Sequence, residues 1–397
     1  SGTSLTLNGA VDGGAALQTT GSGFVQFGGA VGSLTPLTSI LAASPVRVAA
    51  ASISTAAAQT YNGTVTLAAD STLSGVNVTF ASTVNGAQAL TVTDSGTTSF
   101  GGAVGGGVAL TALTTNGGGT TAINGGAIRT SGAQNYADAV TLGAGTTLTS
   151  TAGNITASNS GNSAAGNSLA LNTAGDASLR FDAFALGTST IGGNLDLTSS
   201  GNVTQTGVLT VTGTTTVTID TGLNKNILLH TQANDFVGAV TYASTGGGSI
   251  QDAGLRNMNL GASLAGIPAT GIRHLDIVFD NAAINLPSTT VSGNLTTVAG
   301  GTTNYGTTSV GGNLLQTGNG AVTQTGATTL AVTGTSGFTN GTGNDITLAN
   351  TGNDFGGAVT VTSGNNVSLK DATGLSLLGT VSGNLTTVAG GTTNYGT

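Results

Sequence analysis

The chain has no cysteine, no tryptophan and no glutamate; all 15 acidic residues are aspartate. Without cysteine it forms neither disulfides nor thiolate metal sites. Lysine occurs only at Lys225 and Lys370, proline four times, and charged residues are 6% of the 397, against about 25% in typical globular domains. Glutamate and lysine are among the better helix formers. Their scarcity beside 68 glycines and abundant Thr, Asn and Ser argues against a mainly helical fold. A formal net charge of −8 cannot neutralise phosphates in series, so nucleic acid is not expected as a partner. No run of 18 apolar residues could span a bilayer. Residues 1–10 show no basic and apolar signal-peptide regions.

What the chain does contain is repetition. VSGNLTTVAGGTTNYGT at residues 291–307 returns letter for letter at 381–397, an offset of 90. Identity over that length marks residues 291–380 as one unit of an array, and the sequence is expected to be a window cut from something longer. Two repeat families are visible. In the first, residues 1–190, Phe27-Gly28-Gly29-Ala30-Val31-Gly32 recurs as Phe100-Gly101-Gly102-Ala103-Val104-Gly105, and Gln59-Thr60-Tyr61 as Gln134-Asn135-Tyr136. These offsets are 73 and 75. In the second, from residue 191, Gly192-Gly193-Asn194-Leu195 recurs as Gly311-Gly312-Asn313-Leu314, and Asn234-Asp235-Phe236 as Asn353-Asp354-Phe355, both at an offset of 119. The earlier copy thus carries a surplus, placed at about 254–290, where the repeat pattern fades. The sequence therefore divides into 1–190, 191–290 with this insertion, the 90-residue unit 291–380, and the start of another at 381–397.

Within units, runs such as Leu90-Thr91-Val92-Thr93, Leu209-Thr210-Val211-Thr212 and Val359-Thr360-Val361 alternate apolar with hydroxyl residues. This is the period of a strand with one buried face. Gly-Asn, Asn-Gly and Gly-Gly pairs separate the runs and supply corners. With 38% of residues hydrophobic and this alternation, disorder does not fit. Such short strands cannot each bury a face alone, and the corner lengths vary, unlike hairpin turns. The pattern predicts coils of three strands, roughly 20 to 27 residues each, stacked about 4.8 Å apart. Residues 33–58, with Pro36 and Pro45, depart from the alternation and read as a loop or short helix packed on the solenoid.

GNDITLANTGNDFGGAVTV (343–361), NNVSLKDATGLSLLGTVSGNLTT (365–387) and GAVTQTGATTLAVTG (320–334) resemble filamentous-haemagglutinin-like exoproteins, which are giant bacterial β-strand-repeat adhesins. YNGTVTLAADSTLSGVNVTF (61–80) looks like repeats of the same broad group. The resemblance implies a right-handed parallel β-helix, all-β. It also implies export across the outer membrane through a transporter, often by a two-partner route, and a role in adhesion, biofilm or cell contact at the bacterial surface. It brings no catalytic residues and no cofactor. The amino-terminal secretion domain of such exoproteins is not evident here.

Candidate chemistry is sparse. Arg273, His274, Asp276 and Asp280 cluster inside the insertion, as a surface contact or, on the alternative reading, the groove of a polysaccharide lyase or hydrolase. Residues four apart on a strand lie about 13 Å apart, beyond the roughly 5 to 9.5 Å of paired glycosidase acids. The sequence therefore favours a strand at 275–279, apolar inside, with charges at its corners. Arg180 and Asp182 are placed to pair on one strand face, with Phe181 inward. Asn234-Asp235 and Asn353-Asp354 give one carboxylate per unit, too few for calcium, and read as stacked corner residues. Thr-rich runs such as Thr214-Thr215-Thr216 and Thr120-Thr121 are broken by Ser, Asn and Asp, unlike a regular ice-binding array. Gly105-Gly106-Gly107 is a corner, since no helix follows to cradle phosphate. The expected role is a non-enzymatic, secreted adhesin or filament meeting surface glycans or copies of itself. A polysaccharide-active enzyme and a self-assembling sheath or surface layer are the alternatives.

Overall fold

The computed structural model describes residues 4–396. Every regular element among them is a β-strand, mostly three to five residues long, and every strand pairing is parallel. The chain divides into two compact units, Ser1–Ser199 and Ser200–Thr397. Each is a parallel β-solenoid.

In the first unit three ladders make three faces. The first face runs from Leu5–Leu7 through Val25–Phe27, Val46–Val48 and Val65–Leu67 to Val84–Asn85. It continues through a bridge at Val104 to Ala127–Thr130, Thr146–Ser150 and Leu169–Thr173. The second begins at Ser52–Ser54 and includes Ala89–Asp94, Gln134–Tyr136 and Leu195–Ser199. The third runs from Leu17–Thr19 through Gln59–Tyr61 and Thr97–Phe100 to Ala139–Leu142. Successive partners such as Val25, Val46 and Val65 are 21 and 19 residues apart, which is the length of one coil.

Alternation decides what goes inside. In Val46–Val48 both valines are buried and Arg47 is exposed; in Val65–Leu67 the ends are buried and Thr66 is exposed. Inward residues therefore stack on their counterparts in the next coil. Tyr61, Phe80 and Phe100 form one such column, with ring centroids 5.4 and 5.3 Å apart and rings tilted by 12° and 3°. A fully buried side chain of this size contributes on the order of 2 to 3 kcal/mol.

Buried amides pin the coils together. Tyr61 donates its hydroxyl to Gln59 Oε1 at 2.8 Å, while Gln59 Nε2 donates to the Ser74 carbonyl of the following coil at 2.9 Å. Tyr136 and Gln134 repeat this at 2.9 Å, with Nε2 reaching the Thr149 carbonyl. The Gln-x-Tyr word in the sequence is thus an interior clamp. Its neighbour FGGAVG ends on a glycine for a different reason. Gly32 and Gly105 have φ of +66° and +70°, and a Cβ there would lie 2.2 and 2.0 Å from the carbonyl oxygens of Ser54 and Arg129.

Repeated words do not return to the same face. Phe27 lies on the first face and Phe100 on the third; Gln59 lies on the third and Gln134 on the second. Each interval contains eleven strand steps, counting the single-residue bridges at Val31 and Val104. Eleven is one short of four three-strand coils, so each copy starts one face earlier.

The second unit has the same construction. Its longest ladder includes Ile250–Asn257, His274–Phe279, Leu295–Ala299, Leu314–Gly318, Ser336–Thr339 and Val359–Ser363. A second runs from Ile284–Leu286 through Thr303–Tyr305, Val322–Gln324 and Ile346–Leu348 to Val367–Asp371 and Leu385–Ala389. The third runs from Thr289–Val291 to Asp354–Phe355. The identical 17-residue segments occupy different ladders here too. Leu295–Ala299 pairs with His274–Phe279, whereas Leu385–Ala389 pairs with Val367–Asp371. What travels with the sequence is local: the Thr297 hydroxyl lies 3.1 Å from Tyr305 Oη, and Thr387 lies 2.5 Å from Tyr395 Oη.

Residues 33–58 correct the sequence reading. They contain the strands Ile40–Ala42, Val46–Val48 and Ser52–Ser54, each in a ladder, and no helix. Pro45 sits at a corner, where it costs no ladder bond.

Candidate functional site

The insertion is coil structure with one long loop. Ile250–Asn257 pairs with Lys225–Leu229 across an irregularity between Lys225 and Ile227. After residues 258–273, His274–Phe279 pairs with Ile250–Asn257 from Asp252↔His274 to Asn257↔Phe279. Leu275, Ile277 and Phe279 are buried, as the sequence predicts, while His274, Asp276 and Val278 alternate outward, which places Asp276 in mid-strand and not at a corner.

The four candidate residues do not converge on a reacting centre. Arg273 grips Asp252 of the preceding coil, Nε to Oδ1 at 2.9 Å and Nη2 to Oδ2 at 2.6 Å. The hydrogen bond from Arg273 holds the Asp252 carboxyl below its ordinary range, against the opposing effect of burial. Asp280 takes a second fork from Arg256, Nε to Oδ2 at 2.9 Å and Nη2 to Oδ1 at 2.8 Å. His274 Nδ1 accepts the Asn294 backbone N–H at 2.9 Å. Asp276 lies in register with Gly254 and Thr296. Two of the four are thus halves of ion pairs between coils, and the histidine is a corner acceptor.

The histidine belongs to a column. Asn294 Oδ1 accepts from Asn313 N–H, and Asn313 Oδ1 accepts from Thr335 N–H, both at 2.9 Å. Arg273-His274-Leu275 therefore stands where Gly-Asn-Leu stands in the following coils. Sequence reading missed the partners Asp252 and Arg256. A usable signal was present: Asp252 to Arg273 and Arg256 to Asp280 are 21 and 24 residues apart, one coil each.

Other sequence candidates are structural as well. Asp182 accepts from the Ser163 hydroxyl at 2.6 Å and from Ala164 N–H at 2.9 Å. Phe181 is buried and meets Phe184 edge-on at 5.5 Å. Asn234 and Asn353 each stand at the corner just before a strand, fully buried, and each bonds to backbone of neighbouring strands.

The insertion loop does shape a groove, of about 680 Å³. One wall is residues 263–269, including Leu264 and Ile267; the other is Asn285, Leu286, Pro287 and Ser288, with Gly306, Thr307, Thr325 and Thr328 along it. None of Arg273, His274, Asp276 and Asp280 lines it, and neither does any other titratable side chain. Among the described residues, no group of three or more His, Cys, Asp or Glu is placed to hold a metal ion.

A family model described as repeats of unknown function (DUF5649) matches residues 174–243 and 292–362. The two stretches are similar to one repeat and are the copies related by the 119-residue offset; they contain Asn234 and Asn353. No curated protein and no solved structure matches the chain.

Proposed function

We propose that this chain is part of a secreted or cell-surface adhesin or filament of the filamentous-haemagglutinin-like kind, serving as a stiff stalk in adhesion, biofilm or cell contact. The observation that carries this reading is the use made of polar side chains. Buried Gln and Asn clamp one coil to the next, corner Asn and His accept backbone N–H groups, and Arg273 and Asp280 of the insertion are locked in ion pairs between coils. A stack bonded along its axis by both backbone and side chains resists bending. Few charges and many hydroxyl and amide groups leave a wettable surface suited to glycans or to copies of the chain. Export through an outer-membrane transporter goes with this reading.

A polysaccharide-active enzyme is the second reading, since the insertion does form a groove. Against it stands the groove lining, which offers no general acid or base among the described residues. Incubating the chain with bacterial and host surface polysaccharides separates the two. Retention without cleavage is expected, whereas steady release of oligosaccharide would establish the enzyme.

A further inference from the structure

The groove beside the insertion loop rests on stacked corners. Ile284–Leu286, Thr303–Tyr305 and Val322–Gln324 are ladder partners 19 residues apart. The segments that follow them, at 287–288, 306–307 and 325–328, repeat along the groove at the coil spacing of about 4.8 Å. Asn285, Ser288 and Thr307 are exposed, line the groove, and have no side-chain hydrogen-bond partner among the described residues. Leu264, Ile267 and Leu286, all at least nine-tenths buried, and Pro287 give it apolar walls.

From this arrangement we infer that the groove binds a single strand of uncharged polysaccharide lying along the solenoid axis, about one sugar ring per coil. The inference rests on the adhesive reading and names its ligand class. Hydroxyl and amide groups repeating along a line match a polymer whose hydroxyls repeat along a line, and the apolar walls suit the C–H faces of sugar rings. Uronic or sulfated sugars would be desolvated here with no cation to meet them. A peptide strand adding to a sheet needs unpaired backbone N–H and C=O groups, and the strands bordering the groove spend theirs on neighbouring coils.

The test is calorimetric titration of the full chain with neutral hexasaccharides (β-1,4-glucose, β-1,4-mannose, β-1,4-xylose and N-acetylglucosamine oligomers), alongside hyaluronan and alginate oligomers. Thr307→Trp blocks the groove from an exposed position, and Asn285→Ala with Ser288→Ala removes hydrogen bonds without filling it; thermal melting checks folding of each. At least one neutral hexasaccharide is expected to bind. Its affinity is expected to fall about tenfold or more in Thr307→Trp, and severalfold in the double variant. Binding that survives Thr307→Trp, binding of the acidic oligomers alone, or binding of none overturns the inference. Retention of the chain on surface polysaccharide, measured with the same variants, keeps the two readings apart. Equal retention of native chain and Thr307→Trp removes the groove but leaves the adhesin, and shortening of the oligosaccharide removes the adhesin.

Discussion

Gln324 and Asn353, 29 residues apart, hold each other by both ends of their amides. Asn353 Nδ2 donates to Gln324 Oε1 at 2.9 Å, and Gln324 Nε2 donates to Asn353 Oδ1 at 2.7 Å. Asn353 also accepts from Leu330 N–H and donates to the Leu348 carbonyl. Gln205 and Asn234 repeat every part of this, with Leu209 N–H and the Leu229 carbonyl. Asn162 in the first unit is used in the same way, accepting from Val140 N–H and donating to the Ala157 and Arg180 carbonyls.

Asn353→Ala takes their side-chain partner from the buried Leu330 N–H and the Leu348 carbonyl, and leaves the half-buried Gln324 amide only the Thr328 carbonyl. Each orphaned group costs roughly 1 to 3 kcal/mol, so a loss of about 3 to 5 kcal/mol is expected in urea unfolding. Replacing both partners, Gln324→Leu with Asn353→Leu, removes the mutual need and is expected to cost less than the sum of the single changes. A purely additive double variant would show that the amides do not act as a pair.

The aromatic column of the first unit separates packing from hydrogen bonding. Phe80→Ala opens a cavity between Tyr61 and Phe100 and is expected to cost about 3 to 5 kcal/mol. Tyr61→Phe keeps the stack but strands Gln59 Oε1, for about 1 to 3 kcal/mol. Unfolding of the two variants in denaturant should preserve that order.

These clamps explain which parts of the structure could be read from the sequence. Alternation such as Leu209-Thr210-Val211 and Val359-Thr360-Val361 reports directly which side of a strand is buried, so the solenoid was legible. Residues 33–58 were misread because their strands are only three residues long and Pro36 and Pro45 precede the first two of them, so no run of alternation is long enough to stand out. Arg273, His274, Asp276 and Asp280 were visible as a cluster along the chain, but their partners lie one coil away. Only coil-length offsets between opposite charges reveal Asp252 and Arg256. The groove was beyond reach, because the Ser, Thr, Asn, Gly and Pro of its lining are also the ordinary composition of corners, and its Leu and Ile read as strand interior.

Neighbouring glycines in one corner should respond in opposite ways. Gly105→Ala places a Cβ 2.0 Å from the Arg129 carbonyl oxygen at a φ of +70°, so backbone must move and the variant should be clearly destabilised. At Gly106 the nearest atom to an added Cβ is the Ala103 methyl at 3.6 Å, an ordinary contact. Gly106→Ala is expected to melt near the native temperature, and equal losses in both would contradict the close approach at Gly105.

Asp252 makes one part of the second unit sensitive to acid. Its folded carboxyl is held below the ordinary range, chiefly by the hydrogen bond from Arg273. The stability it contributes is therefore present above the unfolded carboxylate pKa and is lost as pH falls through the folded value. Asp252→Asn should weaken the protein at neutral pH and reduce its loss of stability on acidification, read from melting temperatures across the acid range.

Asp138 acts in the opposite sense. Its side chain is buried, Oδ1 accepts from Gly118 N–H at 3.0 Å, and Oδ2 has no hydrogen-bond partner among the described residues. Burial pushes its carboxyl above the ordinary range, the amides of Gly118 and Gly119 pull it back in part, and the carboxylate of Asp94 adds to the rise. Asp94 itself accepts from the N–H groups of Asn77, Val78 and Gly96 and from the Thr98 hydroxyl. A carboxyl raised on folding binds its proton more tightly in the native state. Its contribution to stability is therefore complete below the unfolded pKa and is lost as pH rises through the folded one. Asp138→Asn keeps an oxygen for Gly118 N–H and removes the buried charge. The variant is expected to be more stable than the native chain at neutral pH and to lose that advantage in acid. A native chain whose melting temperature moves with pH just as the variant's does would show that Asp138 ionises as freely folded as unfolded.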